Sequence, residues 1–138
     1  MADSVRKVYY YSTSVPDKPG QAFRVLQVMV CAGVNLLACV GCTRNRRAYI
    51  DVVPDDTRRF AAAARKAGLN FSRKKVGFMI QGSDRAGALA ENLQRLAERE
   101  INVTAVDGLS AGEGRWGAIV WVDERDVQRA GRVLRAGR

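Results

Sequence analysis

Asp17-Lys18-Pro19-Gly20 and Asp84-Arg85-Ala86-Gly87 stand 67 residues apart, and the register they set continues along the chain. Leu26 meets Leu93, Met29 meets Leu96, Asn35 meets Asn102, Ala38 meets Ala105 and Gly41 meets Gly108. The turn Ala111 to Gly114 then adds two residues to the second copy. Beyond it Ile50 meets Ile119, Val53 meets Val122 and Ala67-Gly68 meets Ala136-Gly137. Matches held in one register and broken once, at a glycine turn, mark an internal duplication. The expected boundary divides residues 1–75 from 76–138.

Each copy has the same order of local signals. Lys7 to Val15 and Val76 to Gln81 are rich in Val, Tyr, Thr, Phe and Ile, which suits strands. A turn follows, ending at Gly20 or Gly87. Ala22, Leu26, Met29 and Val30, like Leu89, Leu93, Leu96 and Ala97, recur at helical spacing. Gly33 supplies a helix stop. The pairs 36–43 with 48–53 and 103–110 with 116–122 read as hairpins. Second helices are expected over 55–67 and 124–136, with Asp55-Asp56 and Asp123-Glu124 at their positive ends. Only the first copy has a further candidate strand, 70–75. The order is βαββαβ followed by βαββα.

The predicted class is therefore α+β: two tandem ferredoxin-like units, each an antiparallel sheet with its helices on one face, the second lacking its final strand. That absence leaves the 76–81 strand with an open edge. Segment 70–75, from the same chain or a partner, is the candidate to fill it.

Composition narrows the function. The 138 residues contain no histidine, which removes Ser-His and Cys-His nucleophile pairs and histidine metal sites. No catalytic set, metal site or cofactor motif is expected. No apolar run approaches the ~20 residues that span a bilayer, and residues 1–6 have no signal-peptide core. A cytoplasmic protein without a membrane partner is expected. Cys39 and Cys42 form a CxxC, but on a strand, where residues three apart face opposite sides. The net charge of +9 lies wholly in residues 1–75, with 14 Lys+Arg against 5 Asp+Glu, while 76–138 carry 9 of each. This basic half, with Tyr9, Tyr11 and Tyr49 as stacking candidates, favours a nucleic-acid partner, as does a sheet topology shared with nucleic-acid readers. A solvated basic hairpin around Arg44, Arg46 and Arg47 is the plainer account. Trp116 and Trp121 face opposite sides of one strand, so one is expected in the core and the other against a partner. With the run Tyr9-Tyr10-Tyr11, this suggests a homodimer.

The stretches Val15-Pro16-Asp17-Lys18-Pro19-Gly20 and Ala32-Gly33-Val34-Asn35-Leu36 resemble the ACT domain family. The second copy matches less well: Ala86 replaces the proline, and Arg99-Glu100-Ile101-Asn102 lacks the glycine. The resemblance implies a non-enzymatic regulatory module that binds an amino acid or similar metabolite where two units meet. It implies a ligand set of Asp17, Lys18, Pro19, Gly20, Gly33 and Asn35, with Asp84, Arg85, Gly87 and Asn102 in the second copy. Backbone amides at a helix start suit a carboxylate, the aspartates suit an ammonium, and asparagine can both donate and accept. An adaptor that keeps the fold without a working pocket is the other reading.

Overall fold

A computed structural model of the chain describes residues 3–137. Its strands are β1 (Ser4–Pro16), β2 (Leu36–Arg44), β3 (Arg47–Pro54), β4 (Lys75–Ser83), β5 (Val103–Gly112) and β6 (Arg115–Val122). Its helices are α1 (Gln21–Cys31), α2 (Thr57–Lys66), α3 (Ala88–Glu98) and α4 (Val127–Leu134), the last preceded by a single 3₁₀ turn at Glu124–Asp126. The class is α+β with antiparallel pairing. The chain divides into two compact units, 9–75 and 76–137 together with the residues up to Val8.

In unit 9–75 the strands lie in the order β2-β3-β1. Tyr11 opposes Val52, and Cys39 opposes the same valine from the other side. Alternation then puts Ile50 and Val52 on one face. There they pack with Val25 and Met29 of α1, Phe60 of α2, and Val34. Phe60 sits between Tyr11 and Phe71, at ring-centroid distances of 4.5 and 4.9 Å. Asp56 caps α2 by accepting from the Arg59 N–H at 3.0 Å, and Arg65 and Lys66 lie in the last turn, where the carbonyl end of the helix favours cations.

The buried face of α1 differs from the one expected. Val25 and Met29 are inward, while Ala22 is exposed and Val30 is 68% exposed. This helix carries apolar residues around most of its circumference, so spacing alone does not select the face. The sheet selects it by offering Ile50 and Val52 as neighbours.

In the other unit the order is β1-β4-β6-β5. Trp116, Ala118, Val120 and Val122 point from β6 to a core that includes Phe78, Ile80, Leu96, Ala130 and Leu134. Val5 of β1 belongs to the same core. The edge of β4 is thus closed by β1, which begins at Ser4, three residues before the first strand expected from the sequence. Gly137 adds a bridge to Arg6, its N–H donating to the Val5 carbonyl at 2.9 Å. Segment 70–75 does not serve that edge. Lys75 already begins β4, and residues 70–74 run irregularly beside the second half of β1. The Ser72 N–H donates to the Ser12 carbonyl at 2.8 Å, and the Thr13 hydroxyl donates to the Asn70 carbonyl at 2.7 Å. Both tryptophans are buried, Trp116 at 5% and Trp121 at 4% exposure, so neither ring is left open for a partner.

If Val5 seals this core, Val5→Ala should cost ~2 kcal/mol, from two buried methyl groups and the space they leave. Urea unfolding followed by tryptophan fluorescence checks this, because both tryptophans lie in the unit concerned. An unchanged midpoint would remove Val5 from the core.

Candidate functional site

The turn before the first helix has the same geometry in each unit. Gly20 and Gly87 precede α1 and α3 with φ of +87° and +83°. That left-handed conformation is available to glycine without strain, and it turns the strand directly into the helix. The Asp17 N–H donates to the Arg46 carbonyl at 3.3 Å, and the Asp84 N–H to the Gly114 carbonyl at 2.8 Å. Each turn is thereby pinned to the hairpin beside it. Neither helix has a side-chain cap, so Asp17 and Asp84 are not N-caps. The other end of each helix repeats as well: the Val34 N–H donates to the Met29 carbonyl at 2.9 Å, and the Ile101 N–H to the Leu96 carbonyl at 3.0 Å.

The expected ligand residues fall into two groups. Asp17, Lys18, Pro19 and Gly20 are exposed at the start of α1, while Gly33 and Asn35 follow its end. The eleven residues of α1 lie between these groups, which at the α-helical rise is about 16 Å. Asp84, Arg85 and Gly87 stand in the same relation to Asn102 across α3. A unit does not bring its turn and its asparagine together. Asn35 is held by its backbone: its N–H donates to Asp55 Oδ1 at 3.2 Å, and its carbonyl accepts from the Asp55 N–H at 2.8 Å. The Gly33 carbonyl accepts from Arg59 at 3.2 Å. Asp84 accepts from the Ser110 hydroxyl at 2.8 Å. Asp17 and Lys18 have no side-chain partner among the described residues.

Arg85 serves a group that the sequence does not bring together. Its guanidinium donates to both carboxylate oxygens of Asp3, at 3.1 and 3.2 Å, and to Glu91 at 2.6 Å. Asn92 Nδ2 donates to Asp3 Oδ2 at 3.0 Å, and Trp116 Nε1 to Asp3 Oδ1 at 3.1 Å. The Asp3 side chain is 6% exposed. Hydrogen bonding from Arg85 outweighs burial and, with Asn92 and Trp116, lowers the Asp3 carboxyl to a pKa of about 2. Asp3 and Glu91 in turn push the Arg85 guanidinium upward. One signal for this cluster was present in the sequence: Asn92 interrupts an apolar stripe between Ala88 and Leu96, each four residues away. Asp3 gave none.

Other expected features resolve plainly. The tyrosines considered as base platforms are engaged. Tyr11 packs on Phe60, Lys74 lies 4.3 Å from the Tyr9 ring centre, and Arg44 lies 4.1 Å from that of Tyr49. Cys39 and Cys42 are free thiols on β2, and burial, helped by Asp51, pushes the Cys39 thiol up. The described residues contain no cluster of three or more His, Cys, Asp or Glu able to hold a metal ion. Among the described residues no helix is long and apolar enough to cross a membrane.

No family model and no curated protein matches the chain. Solved structures do. A protein from Bacteroides thetaiotaomicron superimposes with a TM-score of 0.81 at 16% identity, over 95% of this chain and 88% of that one. The regulatory subunit of aspartate kinase from Thermus thermophilus, in its ligand-free form, gives 0.66 at 14% identity, over 98% and 95%. Aspartate kinase from Clostridium acetobutylicum gives 0.60 at 13% identity, over 96% of this chain and 33% of that enzyme. The glycine-ended turns, the helix-on-sheet units and these superpositions agree: the chain has the fold of ACT regulatory domains.

Proposed function

We propose that this protein is a non-enzymatic regulatory module, built of two tandem ACT-type units, that binds a small metabolite of the amino-acid class and acts as a homodimer. The observation that carries this reading is the repeated turn. Twice a strand passes through a left-handed glycine into a helix start that has no side-chain cap, leaving amide donors for a carboxylate. In the first copy Lys18 adds a cation and Asp17 an acceptor for an ammonium, both exposed. The likeness to a regulatory subunit of aspartate kinase supports a regulatory role.

The helix length supports the dimer. A ligand touching both a turn and an asparagine spans two ends of α1 or α3, which are farther apart than an amino acid reaches. A second copy would supply the missing group. The ligand set is then Asp17, Lys18, Pro19 and Gly20 from one protomer with Gly33 and Asn35 from its partner, and the weaker second set is Asp84, Arg85, Gly87 and Asn102.

A thermal-shift screen of the twenty amino acids tests the proposal. At a hundredfold excess over Kd, a ligand of the folded state contributes about 2.7 kcal/mol and raises Tm. One amino acid, or a chemically related group of them, should do so, and Asp17→Ala with Lys18→Ala should abolish the effect while leaving the unliganded Tm within about 1 °C. A flat screen at saturating concentrations would sink the sensor reading.

A further inference from the structure

Asp3 lies just outside β1, yet its carboxylate has four donor contacts from three separate elements: two from Arg85 before α3, one from Asn92 on α3 and one from Trp116 on β6. The floor beneath it is Gly82, where a Cβ would fall 2.0 Å from Asp3 Oδ1. Asn92 is 1% exposed, and its Oδ1 has no hydrogen-bond partner among the described residues. Burying an asparagine and an indole N–H in an apolar core costs free energy unless they are satisfied. Here both are directed at one carboxylate, in a space that only a missing side chain keeps open. A bidentate guanidinium fork selects a planar anion. The orphan Oδ1 on the same amide as the Asn92 donor is a further acceptor.

The geometry points to a carboxylate-binding site in this unit, with Arg85, Asn92 and Trp116 as its donors, Gly82 as its floor and the chain's own Asp3 as a tethered occupant. Its ligand class is the small carboxylate, and withdrawal of Asp3 opens it. Asp3 has no place in the β1 ladder, so its side chain can leave without breaking strand pairing. While in place it excludes competitors, because a tethered group acts at an effective concentration of the millimolar order or above. This site goes beyond the proposed turn receptor: Arg85 belongs to the second turn's expected ligand set, but its guanidinium is aimed at Asp3 and Glu91, and Asn92 and Trp116 lie outside that set.

The test is chemical rescue. Asp3→Gly removes a group with the composition of acetate, so acetate is the probe. The readout is the Trp116 indole N–H signal in nitrogen–proton correlation spectra, assigned by its loss in Trp116→Phe. In Asp3→Gly this signal should move away from its position in the unsubstituted protein. Acetate should return it along a saturable curve, and sodium chloride at equal ionic strength should not. The unsubstituted protein should not respond. Neither should Asp3→Gly/Gly82→Ala, whose added methyl stands where a carboxylate oxygen must lie. No saturable response in folded Asp3→Gly, or an equal response with Gly82→Ala present, would overturn the site. Should Asp3→Gly be unfolded alone, acetate must restore its near-UV circular dichroism, and failure to do so overturns the site equally. An amino-acid screen that fails on the unsubstituted protein leaves this experiment intact, so the two proposals fail separately.

Discussion

Phe60→Ala is expected to lower the stability of unit 9–75 by about 3–5 kcal/mol, a loss comparable to the whole margin of a small domain. Phe60 is 1% exposed, and the core it fills is small: Val25, Met29, Val34, Ile50 and Val52 are the other buried residues of its cluster. Its ring also meets Phe71 edge-on, with an interplanar angle of 72°. Truncation removes the transfer free energy of the ring, leaves a cavity against two strands and a helix, and frees Tyr11 and Phe71 from a shared aromatic contact. Urea unfolding followed by far-UV circular dichroism gives the number. A loss under about 1 kcal/mol would mean that Phe60 is not the centre of this core.

The second large effect is a loss of stability in acid, traced to one carboxylate. The Asp3 carboxyl titrates at about 2 in the folded chain against an ordinary 3.8. A depressed folded pKa means that the native state releases this proton more readily than the unfolded chain. The stabilisation is therefore complete above about pH 5, and is lost as pH falls through 4 towards 2. Its size is ~2 kcal/mol, from a shift of nearly two pH units at 1.36 kcal/mol each. Asp3→Asn keeps the shape without the charge, so it should be less stable at neutral pH and should lose less between pH 5 and pH 2. Urea midpoints across that range test the difference. Parallel curves for the two proteins would show that Asp3 does not contribute.

The acid effect and the rescue experiment read the same cluster differently. Titration measures what the charge contributes to stability, whereas acetate measures whether the donors form a receptor once Asp3 is gone. The cluster also separates the two turns. Arg85 belongs to the turn that the family resemblance marks as ligand-facing, but here it is held by Asp3 and Glu91. Among the described residues the first copy has no such restraint on Lys18. The two turns, alike in backbone, thus differ in which side chains they offer to solvent.

What the sequence determined by itself was local and periodic. The order of strands and helices apart from the expected strand 70–75, the turns at Gly20 and Gly87, and the hairpins were readable because each depends on residues a few positions apart. Strand alternation, helical spacing and glycine at a left-handed turn are encoded within such windows. The tertiary structure alone decided which face of α1 is buried, because that helix is apolar on several sides and only Ile50 and Val52 discriminate. It alone set the start of β1 on the edge of β4 in place of segment 70–75, because strand pairing depends on which edge lies within reach after folding. It alone gathered Asp3, Arg85, Asn92 and Trp116, which are separated by up to 113 residues. No periodicity relates positions so far apart. Only the folded chain carries the donors to the one acceptor that satisfies them.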